Sequence, residues 1–244
     1  MPNIETTSVL HLPAWKKTTL GTPIELFASS SLDVIRQQNP ILLMGGVHGD
    51  EPEGVRLARD TLTWLKSNTT TSGSRQKAIC PWIVIPCLNV DGFARQTRVN
   101  GRGVDLNRNY PAKDWSNEAR AERYSPGEAP ASESEVQAIV ELITTTKPRL
   151  IIHCHSWKPC IVGAGPASVR DTERLAKASG YEGKEDIGYP TPGSLSSYGW
   201  IDHQIPVICI EEDDTLKDYD SIWPRFRDGI MAIFTDLSKR EVSR

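Results

Sequence analysis

No run of apolar residues in this sequence approaches the roughly 20 that a membrane-spanning helix needs, which excludes a helical membrane protein. Basic charge is not in excess: 28 Lys and Arg stand against 31 Asp and Glu. That balance offers no electrostatic footprint for nucleic acid. The opening stretch MPNIETTSVLHLPAW lacks a charged segment followed by an apolar core. No secretory signal is therefore expected, and the expected location is the cytoplasm. The five cysteines, Cys80, Cys87, Cys154, Cys160 and Cys209, form no CxxC pair. They read as buried thiols of a reducing compartment, not as disulfides or as a cysteine metal site. Internal repeats and low-complexity tails are missing too. What remains is 244 residues of ordinary globular composition. A single domain spanning 1–244 buries enough surface at that size to need no staples.

The apolar runs alternate between two periodicities. ILLMGGV (41–47), WIVIPCL (82–88), LIIHCHS (150–156) and VICIE (207–211) are short, continuous and bounded by breakers. They read as buried strands. Between them Val55, Ala58, Leu62 and Leu65 follow helical spacing, as do Val136, Ile139, Val140 and Ile143. Ser132 or Ser134 is the expected N-cap of the second helix. Phe226, Ile230, Phe234 and Leu237 give a closing amphipathic helix. SNTTTSGSRQK (67–77) reads as a surface loop. Strands separated by helices imply an α/β three-layer sandwich, with a mixed, mainly parallel sheet flanked by helices. In such sheets ligands bind beyond the carboxyl ends of strands.

Chemistry-bearing residues fall at those ends. His48 and Glu51 stand three apart in GGVHGDEPEG, directly after the first strong strand. Gly45, Gly46 and Gly49 permit a loop tight enough to turn both toward one ion. A third nitrogen is available in LIIHCHS, from His153 or His155. The two are two apart on one strand and face the same side. The place nearer the strand end favours His155 as the ligand, with His153 behind it. His plus Glu plus His leaves one position on zinc open, the pattern of a catalytic site.

Several longer strings extend this pattern in order along the chain. They are NVDGFARQTRVNGRGVDLNRNYP (89–111), YSPGEAPASESEVQAI (124–139), KPRLIIHCHSW (147–157) and IGYPTPGSLSSYGWIDHQIPVICIE (187–211). With GGVHGDEPEG they make the chain resemble the zinc carboxypeptidase family, of which carboxypeptidase A is the best-known member. Within that family, the short spacers and the GVDLNRNYP and PTPGS strings are most similar to members acting on cell-wall peptides. Those members cut the bond between γ-D-glutamate and meso-diaminopimelate.

The resemblance implies one zinc ion per chain, a small peptide as partner, and a role for each matching residue. His48, Glu51 and His155 would hold the metal, with Asp105 accepting a hydrogen bond from His48 and His153 lying behind the ligands. Arg98 would stabilise the oxyanion. Asn107 and Arg108 would hold the free carboxylate of the leaving residue, and Tyr189, more than Tyr198, would cap the substrate. Glu211 would be the general base. The residue types suit these tasks. Arginine grips a carboxylate through a planar fork, and a carboxylate behind a ligating His fixes its tautomer. The acidic run Glu212, Asp213 and Asp214 is expected to offer at least one carboxylate to the distal ammonium of diaminopimelate. Two other readings compete: an N-acyl amino-acid deacylase of the succinylglutamate desuccinylase and aspartoacylase type, and a non-catalytic peptide-binding protein on the same fold.

Overall fold

The computed structural model describes residues 9–69 and 78–238. Eight strands form one mixed sheet in the order β1-β2-β4-β3-β5-β8-β6-β7. In chain order these are β1 (Leu10–Lys17), β2 (Pro23–Ala28), β3 (Ile41–Met44), β4 (Trp82–Ile85), β5 (Leu150–Trp157), β6 (Cys160–Ala164), β7 (Glu182–Lys184) and β8 (Val207–Asp213). The helices are α1 (Leu32–Ile35), α2 (Pro52–Thr69), α3 (Val90–Arg95), α4 (Ser134–Thr146), α5 (Val169–Ser179) and α6 (Ile222–Phe234). The pairs β3–β4, β3–β5, β5–β8 and β6–β7 are parallel, and the other three are antiparallel. Among the described residues no helix is long and apolar enough to cross a membrane.

The central strands are continuous apolar runs because helices cover both faces. Alternation along each strand sends neighbours to opposite layers. Leu43, Ile152 and Ile208 pack beneath α2 and α6, against Leu57, Leu62, Phe226, Ile230 and Phe234. Leu42, Ile151 and Val207 pack beneath α4, against Val136, Ile139 and Ile143. The chain leaves β3 through α2 on one face and pairs β4 on one side. It then returns through α4 on the other face and pairs β5 on the opposite side. The direction of winding therefore reverses at β3 and β5, and a cleft opens beyond their carboxyl ends.

Three local expectations fail. Glu133, not a serine, occupies the N-cap position of α4, and no side chain caps it. Ser134 already lies inside the helix, and the Ser132 hydroxyl donates to Glu133 at 2.8 Å. Leu237 is 56% exposed and lies beyond α6. The helix stops before it because Asp236 folds the chain into a turn, accepting from Ser238 N and Oγ at 3.0 and 2.6 Å. Finally, α2 runs on to Thr69, so 67–69 are helical. Residues 70–77 of the expected loop lie outside the described residues.

Candidate active site

The turn after β3 brings the first two functional side chains into place. Gly46 adopts φ +59° there, a conformation that favours glycine. At Gly49 a Cβ would stand 2.0 Å from the Gly92 carbonyl carbon, so only glycine lets the turn settle against α3. His48 and Glu51 leave this turn buried and pointing toward the end of β5. From β5 come His153 and His155, and from β8 comes Glu211. Register pairs His155 with Glu211 and His153 with Cys209, so all four project from one face of the sheet.

The donor atoms converge. His48 Nδ1 lies 2.7 Å from Glu51 Oε1, and His155 Nδ1 lies 2.7 Å from Glu51 Oε2. The two Nδ1 atoms are 3.0 Å apart. The far nitrogens fix the tautomers. His48 Nε2 donates to Asp105 Oδ1 at 3.0 Å, since Asp105 is an acceptor held well below the ordinary carboxylate range. Burial opposes that ionisation, but His48 and Arg98 overcome it. His155 Nε2 donates to His153 Nδ1 at 2.9 Å. Both inward Nδ1 atoms then carry lone pairs, facing each other and a carboxylate. Three acceptors aimed at one point fit a cation, and two imidazoles with one carboxylate suit zinc.

A second convergence, His153, His155 and Cys209, fits an ion less well. Burial and the adjoining Glu211 push the Cys209 thiol pKa far up. The neutral thiol donates to Glu211 Oε1 at 3.3 Å, and His155 Nε2 is already used. Glu51 is steadied further by Ser156 N at 3.3 Å, while Ser156 Oγ donates to buried Glu53 at 2.7 Å.

The cleft has a volume of about 1070 Å3, and His48, Glu51, Arg98, Asn107, Arg108, His153, His155, Tyr189 and Glu211 all line it. Arg98 donates from Nε to Asp105 at 2.9 Å and from Nη1 to Glu51 at 3.3 Å. Asn107 accepts from Leu195 N through its side-chain oxygen at 2.9 Å, which leaves its amide donors for the cleft. Arg108 is buried, with Nη1 donating to the Asn107 carbonyl at 2.6 Å. No carboxylate pairs with it among the described residues. A desolvated guanidinium in that state calls for an incoming anion. Burial, aided by Arg98 and Arg120 and opposed by Asp105, lowers its pKa. Glu211 is buried as well, and burial, opposed by His155 and reinforced by Glu51, raises its pKa above the ordinary carboxylate value. Tyr189 packs edge-on to Trp157 at 5.7 Å in the cleft wall. Tyr198 is instead buried, stacked on Tyr110 at 5.9 Å.

The acidic run after Glu211 divides. Glu212 faces away from the cleft, as strand alternation requires. It is buried and bonded to Arg225 Nη1 at 2.5 Å and to the Tyr181 hydroxyl. Asp213 closes a turn on Thr215. Only Asp214 of the three lines the cleft, where Glu185 and Asp186 join it. The sequence singles out neither of those two, nor Arg120, Arg123 and Tyr124. Nothing in their local sequence separates them from solvated loop residues.

Comparison with known proteins gives a consistent result. A zinc carboxypeptidase family model matches residues 7–180. Murein peptide amidase A of Escherichia coli K12 is 33% identical over 193 residues, covering 75% of this chain and 73% of that protein. The protein of the same name from Vibrio campbellii is 26% identical over 224 residues, covering 86% and 83%. Among solved structures, the murein-tripeptide amidase of Escherichia coli O157 superposes with a TM-score of 0.74 at 26% identity, over 95% of this chain and 93% of that one. Carboxypeptidase A from Helicoverpa armigera gives a TM-score of 0.76 at 17% identity, over 96% and 70%.

Proposed function

From this chain's place in the zinc carboxypeptidase family, to which it belongs, we propose that it hydrolyses the amide bond between γ-D-glutamate and meso-diaminopimelate in murein tripeptide. It is a hydrolase that uses one zinc ion. The observation that carries the substrate reading is one cleft holding both the His48, Glu51 and His155 donor set and a buried Arg108 that no carboxylate pairs with among the described residues. A centre for amide hydrolysis thus stands beside a receptor for a free carboxylate. The likeness to murein peptide amidase A supports the choice of peptide. The deacylase and non-catalytic readings find no support in these relatives.

When bound by His48, Glu51 and His155, zinc supplies Lewis acidity that polarises the scissile carbonyl and lowers the pKa of water. The chain's own groups do the rest. Arg108 and Asn107 grip the carboxylate of the leaving residue and so fix the scissile bond in the cleft. Glu211 takes a proton from the attacking water and returns it to the leaving amine. Its raised pKa suits it to that second task. Arg98 donates to the oxyanion as charge develops there. Asp105 and His153 hold the ligand imidazoles in the tautomers that keep both Nδ1 atoms free. Cys80, Cys154, Cys160 and Cys209 are buried, as suits thiols of a protein working in a reducing cytoplasm.

The two arginines are expected to separate kinetically. Arg108→Ala should chiefly raise KM, because the carboxylate is held in ground and transition states alike. Arg98→Ala should chiefly lower kcat, by roughly 10² to 10³-fold, as for other oxyanion donors. Steady-state kinetics on one peptide distinguishes them, and reversed signatures would exchange the roles.

The substrate reading is tested by offering the zinc-loaded protein L-Ala-γ-D-Glu-meso-diaminopimelate, the analogue with lysine in place of diaminopimelate, and N-succinylglutamate. Release of diaminopimelate, with the lysine peptide clearly poorer, is the expected result. Equal kcat/KM for the two tripeptides, or faster hydrolysis of N-succinylglutamate, contradicts it.

A further inference from the structure

Three guanidinium groups surround one aromatic ring at the cleft wall. Arg98, Arg120 and Arg123 lie 5.0, 4.9 and 5.6 Å from the centre of the Tyr124 ring. Arg120 also lies 4.5 Å from the centre of the Tyr189 ring, so two aromatic groups hold it. With Arg108, these cations line a single cleft. Two have acidic partners. Arg98 is paired with Asp105 and Glu51, and Arg123 with Asp50 at 3.2 Å. Arg120 has no carboxylate within 4.0 Å among the described residues.

Like charges gathered this closely repel one another. The arrangement is relieved when an anion enters. A guanidinium that meets aromatic rings through its face keeps its in-plane N–H fork for a carboxylate. Arg108 and Arg98 already have uses, for the leaving residue's carboxylate and the oxyanion. Arg120 is left for a further anion. An α-linked peptide without an acidic side chain at that place brings no other carboxylate close to the scissile carbonyl on its acyl side. A γ-linked glutamate does, because its α-carboxylate stays free a few bonds from that carbonyl. The acidic residues Glu185, Asp186 and Asp214, also in the cleft lining, suit the ammonium groups of the same peptide.

We infer that Arg120, held between Tyr124 and Tyr189, is a specificity residue that binds the free α-carboxylate of the γ-linked glutamate. The inference rests on the murein-tripeptide reading and adds to it the means by which a γ-linkage is told from an α-linkage.

The test compares the zinc-loaded full chain with R120Q and R120K. The substrates are the tripeptide, its analogue with the glutamate α-carboxylate converted to the amide, and the lysine tripeptide. Wild type should prefer the acid to the amide by about 10- to 100-fold in kcat/KM, the range for hydrogen bonds to a charged group. R120Q should lose that preference, chiefly through a higher KM for the acid, with unchanged zinc content and unchanged turnover of the amide. R120K, which keeps the charge but not the fork, should retain part of it. Equal losses on acid and amide, or no change on either, overturn the subsite while leaving the substrate reading intact. Loss of the diaminopimelate-over-lysine preference, with the acid-over-amide preference kept, overturns it too, since Arg120 would then serve the distal carboxylate. Failure of wild type to cleave the tripeptide at all overturns the substrate reading and the inference with it.

Discussion

His155→Ala is expected to emerge from purification without stoichiometric zinc and with no measurable peptide hydrolysis, whereas His153→Ala keeps one zinc ion bound less tightly. The two residues share a strand face, and each bears a hydrogen-bonded imidazole. Their places in the network differ. His155 Nδ1 lies 3.0 Å from His48 Nδ1 and 2.7 Å from Glu51, inside the convergence of lone pairs. His153 meets the outer nitrogen of His155 at 2.9 Å and, at 3.4 Å, the Ser196 hydroxyl. Removing a ligand removes one of three donors. Removing the group behind it typically costs about 10 to 100-fold in affinity or activity. Metal analysis of the two purified variants decides the assignment. A His153→Ala protein without zinc beside a His155→Ala protein that retains it would reverse the roles.

Glu211→Gln is expected to keep zinc and to bind substrate, and to lose roughly 10² to 10⁴-fold in kcat, the usual worth of a general base. Its amide occupies the same volume but cannot take the proton. The carboxylate is placed for that task by the register of β8 against β5, which sets Glu211 beside His155. Burial raises the pKa of Glu211 above the ordinary carboxylate value. The acting form is unprotonated, so wild-type kcat/KM should fall with acid from a point above that value. The fall is lost in proportion as the base is removed. Normal turnover by Glu211→Gln, measured by single-turnover kinetics with zinc content checked, would exclude it as the base.

The strands that build the centre were legible because burial on both faces makes them short, unbroken apolar runs. The runs ILLMGGV, WIVIPCL, LIIHCHS and VICIE needed no tertiary information; β3 and β4 end three residues before the first two do, and β5 and β8 run one and two residues past the others. The peripheral pieces were not legible. Strand β1, LHLPAWKK, carries a proline and two lysines and has no fully buried residue, so its pattern is that of a loop. β7 is three exposed residues, EGK, with no apolar side chain to mark it, and it pairs with β6. Helix α5, VRDTERLAKAS, buries only Asp171, Thr172 and Leu175, which leaves little apolar periodicity to read.

The site divides in the same way. His48, Glu51 and His155 sit at strand ends or in a glycine-bounded turn, where the sequence itself signals the geometry, whereas Asp105 and Glu211 were legible only through the family resemblance. Arg120, Arg123 and Tyr124 come from an irregular segment before α4, and only the folded chain gathers them around one ring. Of the acidic run Glu212, Asp213 and Asp214, at least one carboxylate was expected at the cleft, and Asp214 lines it. Alternation sends Glu212 to the opposite layer, where Arg225 and Tyr181 hold it. The sequence carries the alternation but not the partner.

The central claim is that one zinc ion, held by His48, Glu51 and His155, makes this chain an amidase for murein tripeptide. Its most direct test is a zinc titration of the metal-depleted wild-type protein, with release of diaminopimelate from L-Ala-γ-D-Glu-meso-diaminopimelate as the readout. The account predicts negligible release without metal and a linear rise to a plateau at one equivalent of zinc per chain. Undiminished release from metal-free protein, or a plateau reached only at two equivalents, would contradict it.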